Sequence, residues 1–168
     1  MYKVVPLFAA LALVAACASD PDTGAAATGT GTTTTTQQPT TTQTGVAAPR
    51  PGSQEELNAT VGDRIFFDFD RYDVRPDQRP RVAQWAQWMN QHQGVSITVE
   101  GHADERGTRE YNLALGSRRA QSVKDVLTSE GVSAARINTI SYGKDRPAVV
   151  GSGESVWSQN RRGVVVVN

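Results

Sequence analysis

The sequence contains little of what several protein classes require. Its 168 residues include one cysteine and two histidines, and 17 Lys and Arg residues balance 17 Asp and Glu residues. A single cysteine excludes an internal disulfide and a cysteine-rich zinc module. A net charge of zero provides no overall field for a polyanion, so we expect no nucleic-acid partner. The length is sufficient for one folded domain.

The first apolar stretch is too short to cross a membrane. Lys3 precedes a run from Val4 to Ala16 that would extend about 20 Å as a helix, against about 30 Å for a hydrocarbon core. A basic start and small residues at the end of the run are typical of a secretory signal. We therefore expect residues 1–16 to be a signal peptide that is removed.

The cysteine stands at the expected cleavage boundary. This boundary resembles the lipobox of bacterial lipoproteins, here Val14-Ala15-Ala16-Cys17, in which the cysteine becomes the lipidated first residue. Acylation of Cys17 would attach the protein to a membrane, since each buried methylene contributes about 0.8 kcal/mol. The resemblance also implies an outer-membrane address, because Ala18 rather than aspartate follows the cysteine.

Residues 18–52 have the composition of an unfolded linker. Thr, Ala, Gly, Gln and Pro dominate there, with a threonine run from Thr32 to Thr36 and no apolar periodicity. Such a segment buries too little surface to offset the entropy of ordering. We expect residues 17–52 to be a lipidated cysteine followed by a disordered tether, with a glycosylated stalk as the alternative.

Residues 53–168 alternate strand and helix patterns. Four segments rich in β-branched or aromatic residues predict strands: Ile65–Phe69, Val95–Glu100, Ile137–Tyr142 and Gly163–Val167. Apolar residues at helical spacing predict helices over Pro76–Gln91 and Arg109–Glu130. Thr108 is the expected N-cap of the second helix and Gly131 follows its end. The order βαβαββ predicts an α+β fold in which a mixed, partly parallel sheet packs against helices.

One strand-to-helix turn concentrates charged groups. It extends from Gly101 to Asn112 with the sequence GHADERGTREYN, in a position where open sheets usually place ligand sites. His102 and Asp104 supply only two of the three or four ligands that a metal needs, and no serine occupies a nucleophile elbow. We therefore expect no metal, no cofactor and no catalytic residue. A carboxylate pair for glycoside cleavage remains the open enzymatic alternative.

The charges of this turn would suit a zwitterion. Asp104 offers acceptor oxygens for an ammonium group, and Arg118 or Arg119 offers a fixed fork for a carboxylate. The helix start near Thr108 adds free N–H groups and positive potential. An ordinary surface ion pair, worth about 0 to 1 kcal/mol and binding nothing, is the alternative that charges alone leave open.

Four long motifs occur in this part of the chain. They are DFDRYDVRPD from Asp68, VEGHADERGTREYNLALGSRRAQSV from Val99, GVSAARINTISYGKDRPAV from Gly131 and SQNRRGVVVV from Ser158. In this order, behind a lipobox and a tether, they closely resemble the peptidoglycan-associated lipoproteins, a family of the OmpA C-terminal-like superfamily. The resemblance covers nearly all of residues 53–168 and implies the fold of that superfamily.

The resemblance implies non-covalent binding of peptidoglycan through meso-diaminopimelate of its stem peptide, whose side chain has a free ammonium and a free carboxylate. The family's motifs fall on six candidate binding residues: Phe69, Asp70, Asp104, Thr108, Asn112 and Arg119. Asp104 and Arg119 would make the principal contacts. Since Arg119 lies about 15 Å along its helix from Arg109, the loop of Asp104 must fold back toward the helix for the two to meet.

The resemblance also implies a biological role. It implies a non-enzymatic lipoprotein that faces the periplasm, ties the outer membrane to the wall and supports envelope integrity and cell division. TolB and other proteins of the Tol–Pal system are the implied partners. The alternatives are a periplasmic peptidoglycan hydrolase and another OmpA-like tether, such as a motor stator or a porin tail. The lipobox argues against that last group, whose members have a transmembrane helix or barrel before the domain.

A few further residues have mainly structural interpretations. We expect Trp88 to pack in the core or on a helix face rather than to form a platform for a sugar, with packing on a partner as the alternative if it is exposed. We expect His102 to be a hydrogen-bonded structural residue. Arg161 and Arg162 precede the last predicted strand, where bracing of the pocket and simple solvation are both open interpretations. For Arg106, contact with solvent and contact with the glycan are equally open.

Overall fold

The structure of this protein is a computed structural model that describes residues 48–168. The predicted signal peptide, Cys17 and nearly all of the predicted tether lie outside the described residues. The elements follow the order α1 (Gln54–Thr60), β1 (Arg64–Phe66), α2 (Arg79–Gln91), β2 (Ile97–His102), α3 (Arg109–Ser129), β3 (Ile137–Gly143), α4 (Glu154–Asn160) and β4 (Arg162–Val167). A 3-10 turn over Ala134–Arg136 leads into β3. No helix within residues 48–168 is both long enough and apolar enough to cross a bilayer.

The four strands form a mixed sheet in the order β1-β4-β2-β3. Strands β2 and β3 are parallel, with Ile97 opposite Ile137, and α3 lies in the crossover that a parallel pair requires. Strand β4 is antiparallel to both of its neighbours, with Val164 opposite Arg64 of β1. The predicted α+β fold with a partly parallel sheet is therefore confirmed.

The core lies between one face of the sheet and the helices. Ile97 and Val99 are buried on that face of β2, whereas Thr98 and Glu100 on the other face are only partly buried. The helices contribute a set of buried side chains: Leu57, Val82, Trp85, Trp88, Met89, Ala120, Val123 and Leu127. The predicted packing role of Trp88 is confirmed, because its side chain belongs to this core.

Several local features differ from the sequence prediction. Helix α2 begins at Arg79 rather than Pro76, and β2 covers Ile97–His102 rather than Val95–Glu100. Helices α1 and α4 are additional elements of seven residues each. Two turns hold too few apolar positions for a helical period to be recognised. The strand predicted over Ile65–Phe69 ends at Phe66, and the chain then turns through Asp70, whose φ of 56° lies in the left-handed region. That turn carries Phe69 and Asp70 out of the sheet and toward α3.

Helix α3 has the predicted termini. The Thr108 hydroxyl accepts a hydrogen bond from the Tyr111 amide at 3.2 Å, and Gly131 follows the helix with a φ of 91°. Both signals are local, since an N-cap side chain and a left-handed glycine act on the adjacent turn.

A contact between two glycines places α3 directly on β2. A Cβ atom at Gly101 would lie 1.8 Å from the carbonyl oxygen of Gly116, and a Cβ at Gly116 would lie 2.3 Å from Ser141 Oγ. Only residues without a Cβ allow two backbones to approach this closely. The contact holds the middle of α3 against the end of β2, and Arg119, about one turn beyond Gly116, lies beside the loop that follows β2.

Candidate functional site

An open pocket lies where the loops after β1 and β2 meet the N-terminal half of α3. The empty space in it, including the part that is open to solvent, is about 490 Å³. Five of the six predicted binding residues line it: Phe69, Asp70, Asp104, Asn112 and Arg119. Ala103, Leu115 and Tyr111 add apolar and aromatic surface. The structure therefore brings together residues from three separate segments of the sequence.

Thr108, the sixth predicted residue, is not part of the pocket lining. Its hydroxyl caps α3, so it contributes the position of the helix. Asn112 lies one turn further and its amide nitrogen donates to the carbonyl oxygens of Arg106 at 2.7 Å and Thr108 at 3.0 Å. These two bonds fix the loop that carries Asp104 against the start of α3.

Arg119 is fully buried and joins the two loops of the pocket. Its guanidinium donates to the backbone carbonyls of His102 at 2.7 Å, Arg71 at 2.8 Å and Asp68 at 3.0 Å. Burial lowers the pKa of Arg119 to about 10, so the side chain stays charged at neutral pH. The loop after β2 thus folds back onto the helix, which is the condition for Asp104 and Arg119 to share one pocket.

Asp104 is buried, with 4% of its surface exposed, and all its acceptor positions are in use. Oδ1 accepts from the amide and Nε of Arg106 at 3.1 and 3.0 Å. Oδ2 accepts from Arg106 Nη2 at 2.6 Å and Arg161 Nη1 at 3.4 Å. Burial acts to raise the pKa of Asp104, but the bonds from Arg106 outweigh it and hold the pKa below its ordinary value.

The Arg106 guanidinium is enclosed by two aromatic rings. It lies 3.9 Å from the ring centre of Phe69 and 4.0 Å from that of Trp157, a cation–π arrangement on both sides. The Trp157 indole nitrogen donates to Glu105 at 2.9 Å, which orients the ring. Sequence reasoning missed Trp157 because this residue lies on α4, a helix that the apolar pattern does not predict.

Arg161 supports Asp104 from behind the pocket. It is 5% exposed, donates to the carbonyl oxygen of Phe67 at 3.1 Å and pairs with both Asp104 and Glu154. Of the two open interpretations, bracing is therefore correct for this residue. Arg162 instead donates to the carbonyl oxygen of Arg146 at 3.1 Å and lies outside the pocket lining.

The rim of the pocket is aromatic. Phe69 is 58% exposed and Tyr111 is 49% exposed, and the Tyr111 hydroxyl donates to the carboxylate of Asp70. This hydrogen bond raises the pKa of Tyr111, which therefore remains a neutral donor. An exposed tyrosine in the first turn of a capped helix, beside a charged loop, is the sequence signal that could have added Tyr111 to the predicted site.

His102 is buried outside the pocket lining. Its Nε2 lies 3.4 Å from the Glu100 carboxylate, and its Nδ1 is a buried atom without a hydrogen-bond partner among the described residues. Burial lowers the pKa of His102 to about 4, and the positive charge of Arg162 acts in the same direction. The imidazole is therefore neutral at physiological pH.

The pocket is lined by charged side chains of both signs. A general acid for glycoside cleavage needs a carboxyl group with a raised pKa, whereas the pKa of Asp104 is lowered. Residues 48–168 contain no group of three His, Cys, Asp or Glu side chains placed to hold a metal ion. Fixed charges of both signs beside apolar lining can bind a ligand that itself carries both charges.

Comparison with known proteins identifies the family. Residues 66–161 match the OmpA family, and the chain belongs to that family. A peptidoglycan-associated lipoprotein of Mesorhizobium japonicum is 53% identical over 124 residues, which covers 74% of each chain. The peptidoglycan-associated lipoprotein of Legionella pneumophila is 37% identical over 161 residues and covers 96% of this chain and 92% of its own.

A solved structure agrees with this assignment. The crystal structure of the peptidoglycan-associated lipoprotein from Burkholderia pseudomallei is 40% identical and superimposes with a TM-score of 0.62, covering 63% of this chain and 90% of that chain. The resemblance to peptidoglycan-associated lipoproteins that the motifs indicate is therefore confirmed, and so is the OmpA-like fold.

Proposed function

We propose that this protein is an outer-membrane lipoprotein that binds peptidoglycan non-covalently and ties the membrane to the cell wall. The main support is the meeting of Asp104 and Arg119 in one open pocket of an OmpA-family domain. The relatives are named for association with peptidoglycan and for a lipid anchor, which agrees with this role.

The ligand we propose is meso-diaminopimelate in the stem peptide. Its side chain ends in an ammonium and a carboxylate, so its charges match an acidic and a basic group that line one pocket. Asp104 is the acceptor for the ammonium, and Arg119 provides positive potential for the carboxylate. Phe69 and Leu115 line the same pocket and supply apolar surface for the intervening methylene groups.

The membrane end of the tether would be Cys17, acylated after removal of residues 1–16. More than one acyl chain is needed for stable attachment, and residues 18–52 then give the domain reach toward the wall. Many anchored copies act together, so the affinity of each pocket for the wall can be modest. In this role the domain faces the periplasm and works with TolB and other Tol proteins in envelope integrity and cell division.

Co-sedimentation of the purified full chain with isolated sacculi tests the wall-binding site. Arg119 holds three backbone carbonyls, so its replacement disturbs the fold as well as the pocket. Asp104→Asn and Phe69→Ala are therefore the better variants, the first isosteric and the second at a largely exposed position. Tyr72→Ala is the matched control, because Tyr72 is an aromatic residue that is 47% exposed and lies outside the pocket lining.

We expect the wild type and Tyr72→Ala to pellet equally, Asp104→Asn to lose most of its binding, and Phe69→Ala to bind more weakly. Circular dichroism should show the same fold for all four proteins. Unchanged pelleting of folded Asp104→Asn would refute the site, and a wild type that stays in solution would refute wall binding. Release of soluble wall fragments during the incubation would instead support the hydrolase alternative.

A further inference from the structure

Arg106 occupies the position on Asp104 that a ligand ammonium needs. We propose that Arg106 is an internal competitor of the ligand, displaced from Asp104 on binding, and that this exchange makes the pocket selective for a zwitterionic side chain. The inference rests on the proposed function and adds a specificity-determining residue to it. Its basis is the arrangement of three guanidinium groups around one pocket.

The first step of the argument is the saturation of Asp104. Arg106 makes three of the four hydrogen bonds to this carboxylate, and Arg161 makes the fourth. A carboxylate has about four acceptor positions, so a further cation reaches Asp104 only when one of these donors leaves. An ammonium cannot simply be added to the site.

The second step identifies the group that leaves. Arg119 is bound to three backbone carbonyls, and Arg161 is bound to the Phe67 carbonyl and to Glu154. Arg106 is different, because its side chain is 31% exposed and, among the described residues, donates only to Asp104. Its guanidinium can therefore rotate out without breaking contacts that hold the fold.

The third step concerns the shape of the space that Arg106 fills. The guanidinium lies between the rings of Phe69 and Trp157 and meets Asp104 at its end. A flexible aliphatic side chain with a terminal cation would occupy the same space in the same orientation. Arg106 thus mimics the cationic end of the ligand that we propose.

The last step is the charge balance of the exchange. When a ligand ammonium replaces the guanidinium on Asp104, Arg106 loses its counter-ion. A ligand that also has a carboxylate beside its ammonium provides a new hydrogen-bonded partner, whereas a side chain with an ammonium alone leaves the guanidinium with only the charges of Glu105 and Glu154 nearby. The exchange therefore favours a zwitterionic terminus such as that of diaminopimelate over a lysine side chain.

Two synthetic tripeptides test this selectivity by calorimetry on the full chain: L-Ala-γ-D-Glu-meso-diaminopimelate and its L-lysine counterpart. The wild type should bind the diaminopimelate peptide at least about tenfold more tightly, the factor that an ion pair of about 1.4 kcal/mol provides. In Arg106→Gln the lysine peptide should bind more tightly than to the wild type, and the preference should fall to about threefold or less. Arg106→Lys keeps the charge and should keep most of the preference.

Arg109→Gln is the matched control, because Arg109 is an exposed arginine that pairs with Asp145 outside the pocket lining. The NMR signal of the Trp157 indole N–H should also shift when the diaminopimelate peptide is added to the wild type, since Arg106 leaves its ring. An unchanged preference in folded Arg106→Gln, or equal weakening for both peptides, overturns this inference and leaves wall binding intact. If the wild type binds neither peptide, or Asp104→Asn binds as the wild type does, the proposed function falls as well.

Discussion

Replacement of Gly101 by alanine should be strongly destabilising, although it adds a single methyl group. The new Cβ would lie 1.8 Å from the carbonyl oxygen of Gly116 and 2.6 Å from its carbonyl carbon. Both atoms belong to the backbone of α3, so no side-chain rotation relieves the overlap. The helix would have to move away from β2, and the wall of the pocket that contains Arg119 would move with it.

The expected cost follows from this geometry. Overpacking of a core by a methylene group costs about 1 to 3 kcal/mol, and we expect the upper end, about 3 kcal/mol, because the clash is between backbones. For a domain of this size each kcal/mol shifts the melting temperature by about 4 °C, so Gly101→Ala should melt about 12 °C below the wild type.

Thermal unfolding followed by circular dichroism measures this shift. Gly94→Ala provides the control, because a Cβ at Gly94 would have no atom within 4 Å and the residue does not have a positive φ. That variant should melt at or slightly above the wild-type temperature, since alanine restricts the unfolded chain. A Gly101→Ala melting temperature within about 2 °C of the wild type would show that the helix–strand contact is not as close as described, given the shift that such a clash entails.

Three further predictions concern single side chains. Between pH 7.5 and pH 4.5 the free energy of unfolding should fall by about 2 kcal/mol, after allowance for solvent screening. The pKa of His102 is about 4 in the folded protein and about 6.5 in the unfolded chain, so protonation in acid favours the unfolded chain. Urea titrations should show this slope, and His102→Gln should flatten it. Thr108→Ala should lower the free energy of unfolding by about 1 kcal/mol through loss of the α3 N-cap, as measured by the midpoint of urea unfolding. An unchanged midpoint would contradict the capping role of Thr108. Arg119→Lys should lower the free energy of unfolding by about 3 kcal/mol although the positive charge is kept, because an ammonium cannot reach three carbonyls with the geometry of a guanidinium. Wild-type stability in this variant would refute the role of Arg119 in joining the two loops of the pocket.

Local signals were sufficient to predict helix α3 and the alternation of β2. The Thr108 cap, the glycine at position 131 and the buried residues Ile97 and Val99 each act over one or two turns or one strand face. Helix α4 escaped prediction because seven residues do not establish a period. The end of β1 was also unpredictable, since it depends on the turn at Asp70, where the backbone adopts a positive φ.

The candidate site was only partly accessible from the sequence. Its motifs pointed to Asp104 and Arg119, but their meeting depends on the close approach of Gly101 and Gly116, which no periodicity reveals. The position of Arg106 on Asp104 was equally hidden, because a motif gives the identity of a residue and not its side-chain conformation. Tertiary contacts between distant segments decide both features.

The strand order has a consequence for the timing of folding. β4 lies between β1 and β2 in the sheet, yet it follows every other strand along the chain. Until β4 has left the ribosome, β1 lacks its neighbour in the sheet and only the β2–β3 pair can form. This parallel pair joins segments that are far apart in the sequence, and such contacts form slowly. The described sheet therefore cannot be completed until its last strand, β4, has been synthesised.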